Sequence, residues 1–130
     1  MRPVNVLVAD DDESIRSFLR IALSHEDGVG EIREAANGFD AVTIARSWDP
    51  HVVVLDYWMP LLDGGGAARQ IRLAKPRVPI VAFSGVLQAT PEWADHSFLK
   101  GELPDLALVV QLGRDALARL PQSDPGEAAV

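Results

Sequence analysis

Cysteine is absent from the 130 residues, so disulfide bonds, thiolate nucleophiles and thiolate-bound zinc are excluded. Long apolar runs are also missing. The apolar runs, such as 52–55, hold only a few residues, so no segment is expected to span a membrane. Acid appears already at Asp10, before a signal-peptide core has formed, and a cytoplasmic location is therefore expected.

Basic residues are outnumbered, with 12 Lys and Arg against 19 Asp and Glu, which gives a net charge of −7. A field of that sign repels phosphate backbones, so direct nucleic-acid binding by this chain is not expected. The hydrophobic fraction of 48% and the length are typical of one globular domain. We expect that domain over 1–120, followed by a flexible tail or linker over 121–130, where proline, glycine and acids dominate.

Strand and helix patterns alternate along the chain. Short apolar runs predict five strands, at 5–9, 31–35, 51–55, 79–83 and 97–99. Apolar residues at helical spacing predict helices after each strand, including a short fourth helix over 91–95 and a last helix over 103–120, in which Gly113 is a weak point. This alternation predicts an α/β fold with a parallel sheet.

Unusual polar residues follow the predicted strands. Asp10 and Asp11 follow the first strand, Asp56 the third, Ser84 the fourth and Lys100 the fifth. In a parallel sheet these carboxyl ends share one edge, where ligands bind. We therefore expect all five side chains to line one site.

Three carboxylates in one site repel each other, by about 3 kcal/mol per pair at about 5 Å and an effective dielectric of about 20. Such a group of acids takes up protons or binds a cation. Oxygen ligands favour a hard ion such as Mg²⁺. With such an ion bound, one carboxylate can attack phosphorus, while a lysine and a hydroxyl neutralise the phosphoryl oxygens.

The motifs at these strand ends resemble those of response-regulator receiver domains. The resemblance covers roughly residues 4–120 and rests on five ordered segments: VLVADDDESIR (6–16), EAANGFDA (34–41), PHVVVLDYWMP with LLDG (50–64), PIVAFSG (79–85) and FLKG (98–101). It implies a doubly wound, flavodoxin-like sheet of order 2-1-3-4-5 with helices on both faces and a shortened fourth helix.

The resemblance also implies a role for each site residue. Asp56 matches the phospho-acceptor, and Ser84 and Lys100 match the residues that contact the phosphoryl group. The expected Mg²⁺ ligands are Asp10, Asp11, Asp56 and the backbone carbonyl of Trp58. The phosphodonor would be a sensor histidine kinase or a phosphotransfer protein. Phosphorylation would then change binding to a downstream target or a C-terminal output domain, and the apolar surface of the last helix is enough for a homodimer.

Three features depart from the family pattern. Gly101 stands where most receivers have proline, the stretch from Ser84 to Lys100 is short, and the switch aromatic is Phe98, which lacks a hydroxyl. Switching of output is therefore less firmly implied than phosphorylation.

Competing functions remain open from the sequence. One is a receiver-like docking module that ignores phosphate. Another is a phosphatase that forms an aspartyl-phosphate intermediate, similar to the haloacid dehalogenase family. Those enzymes need a general acid two residues after the nucleophile, and this position is Trp58, which cannot transfer a proton. We therefore expect no enzyme activity beyond the chain's own phosphotransfer and autodephosphorylation.

Trp58 itself has two interpretations: it is an exposed aromatic residue over the site, or its bulk slows the approach of water to the acyl phosphate. Asp12 and Asp63 are expected to shape a helix cap and a turn.

Overall fold

The computed structural model describes residues 2–85 and 89–120, so the tail predicted at 121–130 lies outside the described residues. Over these ranges the strands are β1 (Val4–Ala9), β2 (Val29–Ala35), β3 (Val52–Leu55), β4 (Ile80–Ser84) and β5 (His96–Leu99). The helices are α1 (Glu13–Ser24), α2 (Gly38–Ser47), α3 (Gly64–Ala74) and α4 (Leu106–Arg119). Within these ranges, no helix is both long and apolar enough to cross a bilayer.

All strand pairs are parallel, and the sheet has the order β2-β1-β3-β4-β5. The predicted α/β fold, doubly wound and flavodoxin-like, is therefore confirmed. Helices cover both faces of the sheet, because α2 and α3 contribute to one buried cluster and α1 and α4 to the other.

The central strand β3 supplies side chains to both buried clusters, because its residues alternate between the two faces of the sheet. Val52 and Val54 face the α1 and α4 side, whereas Val53 and Leu55 face the α2 and α3 side. Successive side chains of a strand point to opposite faces, so a strand covered on both sides is apolar throughout. This burial fixes where β3 ends, and with it the position of Asp56.

Each helix in the described ranges begins at a side chain that accepts a hydrogen bond from a backbone N–H within its first turn: Asp12, Asn37, Asp63 and Asp105. Asp12 accepts from Ser14 at 2.8 Å, and Asp63 accepts from Gly66 at 2.8 Å. The expected helix cap at Asp12 is thus confirmed, whereas Asp63, which was expected to shape a turn, caps α3.

Gly113 marks a close approach between α4 and the sheet. A Cβ atom at this position would lie 2.4 Å from Val4 Cγ1 and 3.1 Å from Val52 Cγ1. The glycine that weakens the helical pattern in the sequence is what lets α4 pack directly on β1 and β3.

The short fourth helix predicted over 91–95 is not formed. Ala94 N–H donates to Pro91 O at 3.0 Å, which closes a single turn, and Asp95 N–H then donates to Ile80 O at 2.8 Å. The Asp95 carboxylate also accepts from Ile80 N–H and from Arg72, each at 2.8 Å. The prediction was wrong because Asp95 already bonds to β4 and α3, which leaves too few residues for a helix. Residues 86–88 of this connection lie outside the described ranges.

Candidate functional site

Two buried carboxylates lie side by side at the carboxyl end of the sheet. Asp10 follows β1 and Asp56 follows β3, and these two strands are neighbours. Asp56 N–H donates to Ala9 O at 2.9 Å, and Asp10 N–H donates to Ala35 O at 3.0 Å, so both residues continue the hydrogen bonding of the sheet. Only 1% of Asp10 and 5% of Asp56 is exposed. The sheet therefore holds two acids in positions shielded from solvent.

Asp11 completes a cluster of three acids. One carboxylate oxygen from each of Asp10, Asp11 and Asp56 lies within 4.8 Å of the others, and Asp11 is exposed where the other two are buried. Asp10 Oδ1 accepts from Asp12 N–H at 2.9 Å, which orients this carboxylate within the loop after β1. The predicted convergence of these acids is present in the structure.

Lys100 brings the one cation of the predicted set to this cluster. Its Nζ lies 2.6 Å from Asp10 Oδ2 and 3.2 Å from Asp56 Oδ2. Its backbone N–H donates to Ser84 O at 2.8 Å, which ties the residue after β5 to the last residue of β4. The five strand-end residues predicted from the sequence therefore do meet at one edge of the sheet.

Burial and charge act against each other at Asp56. Burial, and then the neighbouring charge of Asp10, raise the pKa of Asp56 from 3.8 to about 6, although Lys100 opposes the shift. At Lys100, burial favours the neutral amine, but the bonds and charges of Asp10 and Asp56 outweigh it and raise its pKa. Lys100 thus stays an ammonium ion, and it offsets only part of the cost of the ionised acids.

Ser84 and Trp58 border this cluster in different ways. Ser84 is 2% exposed at the end of β4, beside Leu99 of β5. Trp58 is 66% exposed, and its ring contacts the ring of Tyr57, with 5.0 Å between centroids. The contact of the Ser84 hydroxyl with a phosphoryl group, and the Trp58 carbonyl as a metal ligand, stay predictions.

Gly101 adopts a backbone conformation that proline cannot take. Its φ is +99°, whereas the ring of proline holds φ near −65°. The glycine that departs from the family pattern therefore fits a differently shaped loop after Lys100. Phe98, two residues earlier, is half-buried and packs against the cluster under α1 and α4.

Two further residues support the site: Arg16, which was not singled out from the sequence, and Trp93, for which the sequence favours local packing over a partner contact. Arg16 Nη1 donates to the backbone carbonyl of Asp10 at 2.7 Å, and its Nε lies 3.4 Å from Glu34. A cation in the first turns of a helix is unfavourable, because it opposes the helix dipole. The position of Arg16 near the start of α1 therefore indicates a role outside the helix, and the sequence shows this position. Trp93 packs beside Tyr57, with 5.8 Å between ring centroids, in the connection that lacks the predicted helix.

The donor set fits a hard divalent cation. Three carboxylates and one ammonium leave a net charge of −2 when all are ionised, and every carboxylate ligand atom is oxygen. Mg²⁺ binds through one or two carboxylates and keeps other positions for water or phosphate oxygens. The residues present thus match what such an ion needs.

Comparison with known proteins agrees with this geometry. The family model described as "Response regulator receiver domain" matches residues 6–95. A protein-glutamate methylesterase/protein-glutamine glutaminase of Geobacter metallireducens is 42% identical over 86 residues, which are 66% of this chain and 24% of that protein. The chain thus spans about a quarter of the length of that curated relative.

Two solved structures share the fold. The response regulator domain of Thermotoga maritima CheB has a TM-score of 0.76 at 21% identity, over 92% of this chain and all of the other. The receiver domain of a sensor histidine kinase from Pseudomonas aeruginosa has a TM-score of 0.68 at 21% identity, over 89% of this chain and 98% of the other. It was solved with a magnesium ion coordinated in its active site cleft.

The expectation that the protein has no enzyme activity of its own beyond phosphotransfer is contradicted by the relatives. Several of them are named as methylesterases and glutaminases. The matched segment covers only 24%, 23% and 31% of their lengths. The error was to judge activity from the strand-end residues alone, since proteins that share this domain carry enzyme names.

Proposed function

The chain belongs to the response regulator receiver domain family of two-component signalling, and from this premise we propose that it is phosphorylated on Asp56. The phosphodonor is a sensor histidine kinase or a phosphotransfer protein. The reaction depends on Mg²⁺, and phosphorylation changes how the domain binds its target. These partners imply a cytoplasmic location.

One observation carries this proposal: Asp56, a second buried acid and an ammonium ion share one site. Lys100 lies within 3.2 Å of both buried carboxylates, and Asp11 reaches the same cluster from the solvent side. A docking module that ignored phosphate would gain nothing from two acids buried beside each other, because the charge of Asp10 raises the cost of ionising Asp56.

The transfer step needs an ionised oxygen on Asp56. With a pKa of about 6, this carboxylate is mostly ionised at neutral pH, so one oxygen can attack the phosphorus of a phosphohistidine. The new O–P bond forms as the N–P bond breaks, and the leaving imidazole takes up a proton from solvent. Lys100 and the Ser84 hydroxyl bind the phosphoryl oxygens and so stabilise the charge that develops on them.

Asp10, Asp11, Asp56 and the carbonyl of Trp58 would hold the metal ion. When bound, Mg²⁺ offsets the charge shared by the carboxylates and the incoming phosphoryl group. Asp10 has a second role, since it holds the Lys100 ammonium at 2.6 Å, close to the acceptor. The target of the phosphorylated domain is an output domain or a separate protein.

Intact-mass spectrometry tests this function. The protein is incubated with acetyl phosphate and Mg²⁺, and we expect one phosphate adduct that disappears when the metal is chelated. Asp56→Asn should give no adduct. Asp63→Asn is the matched control, because asparagine also caps helices and Asp63 is outside the acid cluster. An adduct that persists in Asp56→Asn, or no adduct with any small donor or kinase, would overturn the proposal.

A further inference from the structure

A cleft lies at the opposite end of the sheet from the acid cluster. It has a volume of about 470 Å³ and is bordered by the connection between α2 and β3, the end of α3 and the last turns of α4. This volume is within the range of small-molecule sites in proteins, about 300 to 1,000 Å³. Its walls include the apolar side chains of Pro50, Val78, Ala116 and Leu120.

Cations surround this apolar surface. Arg2, Lys75, Arg77 and Arg119 line the cleft, and Asp49 is the one acid among the lining residues within 2–85 and 89–120. These described lining residues carry a net charge of +3 in a chain whose net charge is −7. Such a reversal of sign concentrates a positive field at one place on an acidic protein.

Three of the four cations have no acid partner among the residues that the structure describes. Lys75 pairs with Asp49, but among residues 2–85 and 89–120 no acid lies within ion-pair distance of Arg2, Arg77 or Arg119. Arg119 is in the last turn of α4, where a cation complements the helix dipole. Arg2 and Arg77 lie outside the helices, so helix capping does not account for them.

His51 adds a neutral donor to the same lining. Its Nδ1 accepts a hydrogen bond from Asn5 N–H at 2.9 Å, so the neutral ring carries its proton on Nε2. Burial, followed by the charge of Arg2, lowers the pKa of His51, which keeps the ring neutral. The lining thus combines apolar side chains, guanidinium groups and a neutral imidazole.

We propose that this cleft binds a small soluble organic anion, one with an apolar body that rests on the walls and a carboxylate, sulfonate or phosphate group held by Arg2 and Arg77. Arginine suits this task because its planar donors match the oxygens of such groups. The site is distinct from the acid cluster and does not depend on phosphorylation of Asp56.

A pair of fluorescent dyes tests the proposal on the full chain. Anilinonaphthalene sulfonate has an aromatic body and one negative charge, and phenylnaphthylamine has nearly the same body without the charge. We expect the sulfonate to bind with saturation at one site, and the neutral dye to bind much more weakly. Equal affinity for both dyes would show that the cations do not contribute, and would overturn the proposal.

Variants then locate the site. The double variant Arg2→Gln/Arg77→Gln should bind the sulfonate at least about tenfold more weakly, as expected for the loss of two charged contacts. Both side chains are exposed, so the fold should persist, which circular dichroism checks. Arg46→Gln is the matched control, since Arg46 is an exposed arginine that is not part of the cleft, and its affinity should equal that of the wild type.

A second change blocks the cleft without altering its charge. Ala116→Phe places a ring in the cleft and should abolish sulfonate binding, whereas Asp56→Asn should leave it unchanged. Unaltered binding in both the double arginine variant and Ala116→Phe would place the dye elsewhere and contradict the proposal. Failure of the phosphorylation test would not affect this result.

Discussion

The two ends of the sheet each hold a lysine paired with an aspartate, and the two aspartates respond in opposite ways. At the carboxyl end, the pKa of Asp56 is raised to about 6, because burial and Asp10 outweigh Lys100. At the amino end, the pKa of Asp49 is lowered, because its hydrogen bond and charge interaction with Lys75 outweigh a small burial. The side chain of Asp49 is 81% exposed, and that of Asp56 only 7%.

The difference shows that the effect of a lysine–aspartate ion pair depends on its burial. The buried pair costs desolvation that a single lysine cannot recover, and the uncompensated charge favours a metal cation. The exposed pair costs little and stabilises little. The same residue types therefore form a buried acid cluster at one end of the sheet and a surface contact at the other.

The largest expected effect comes from removing the buried cation. Lys100→Met leaves Asp10 and Asp56 without their partner, so the free energy of unfolding at neutral pH should fall by about 3 kcal/mol in metal-free buffer. The rate of phosphate incorporation should fall at least about 100-fold, because the phosphoryl oxygens lose their cation. Urea denaturation and intact-mass kinetics measure the two effects. A loss of less than about 1 kcal/mol would mean that the pair is effectively solvated.

The pH dependence of stability should reveal the raised pKa of Asp56. The folded carboxyl has a pKa of about 6 against 3.8 for the ordinary group, so the folded state binds the proton more tightly. The stability that this tighter proton binding contributes is fully present below pH 3.8 and is lost as pH rises through about 6. The free energy of unfolding should fall by up to about 3 kcal/mol over this range.

Asp56→Asn removes this titration. In metal-free buffer the variant should therefore gain stability relative to the wild type as pH rises from about 4 to about 7. Chemical denaturation at several pH values checks this difference. Parallel curves for the two proteins would contradict the account of Asp56.

A smaller effect is expected from the arginine behind the acid cluster. Arg16→Gln removes the hydrogen bond to the carbonyl of Asp10, and affinity for Mg²⁺ should fall about tenfold, as for other groups that orient metal ligands. Titration with Mg²⁺, followed by tryptophan fluorescence with Trp58 as the reporter, gives the affinity.

Arg20→Gln is the matched control for this loss. Arg20 also pairs with Glu34, at 3.0 Å, but no hydrogen bond or ion pair joins it to Asp10 in the described residues. Its substitution should leave Mg²⁺ affinity within about twofold of the wild type, as for other surface changes. Equal losses in both variants would assign the effect to Glu34 and not to the carbonyl of Asp10.

The smallest effect is expected at the exposed pair. Lys75→Met should change the free energy of unfolding by less than about 1 kcal/mol and leave phosphate incorporation unchanged. The same urea and mass measurements compare it directly with Lys100→Met. If both lysine variants lost similar stability, burial would not be what separates the two ends of the sheet.

The strand-end residues were predictable because apolar runs stop where the sheet edge begins. The run before Asp56 is buried on both faces, so its end is fixed by burial, and parallel strands bring such ends together. The last helix was also predicted, but the reason for Gly113 was not, because its neighbours Val4 and Val52 are distant in sequence.

Features that depend on contacts between residues distant in sequence were not predicted. The helix predicted over 91–95 failed because Asp95 bonds to Ile80 and Arg72, and no local pattern records those partners. The cationic cleft is built from residues spread between Arg2 and Arg119, so no window of the chain shows it. Local patterns indicated the acid site, since its residues follow strands, whereas the cleft has no such marker.

Locating the phosphoryl group on the chain tests the central claim most directly. After incubation with acetyl phosphate and Mg²⁺, borohydride reduces an aspartyl phosphate to homoserine, which tandem mass spectrometry of peptides places in the sequence. We predict homoserine at position 56 alone, with Asp10 and Asp11 unmodified. Homoserine at either of those acids, or at none of the three while the intact mass shows an adduct, would contradict Asp56 as the acceptor.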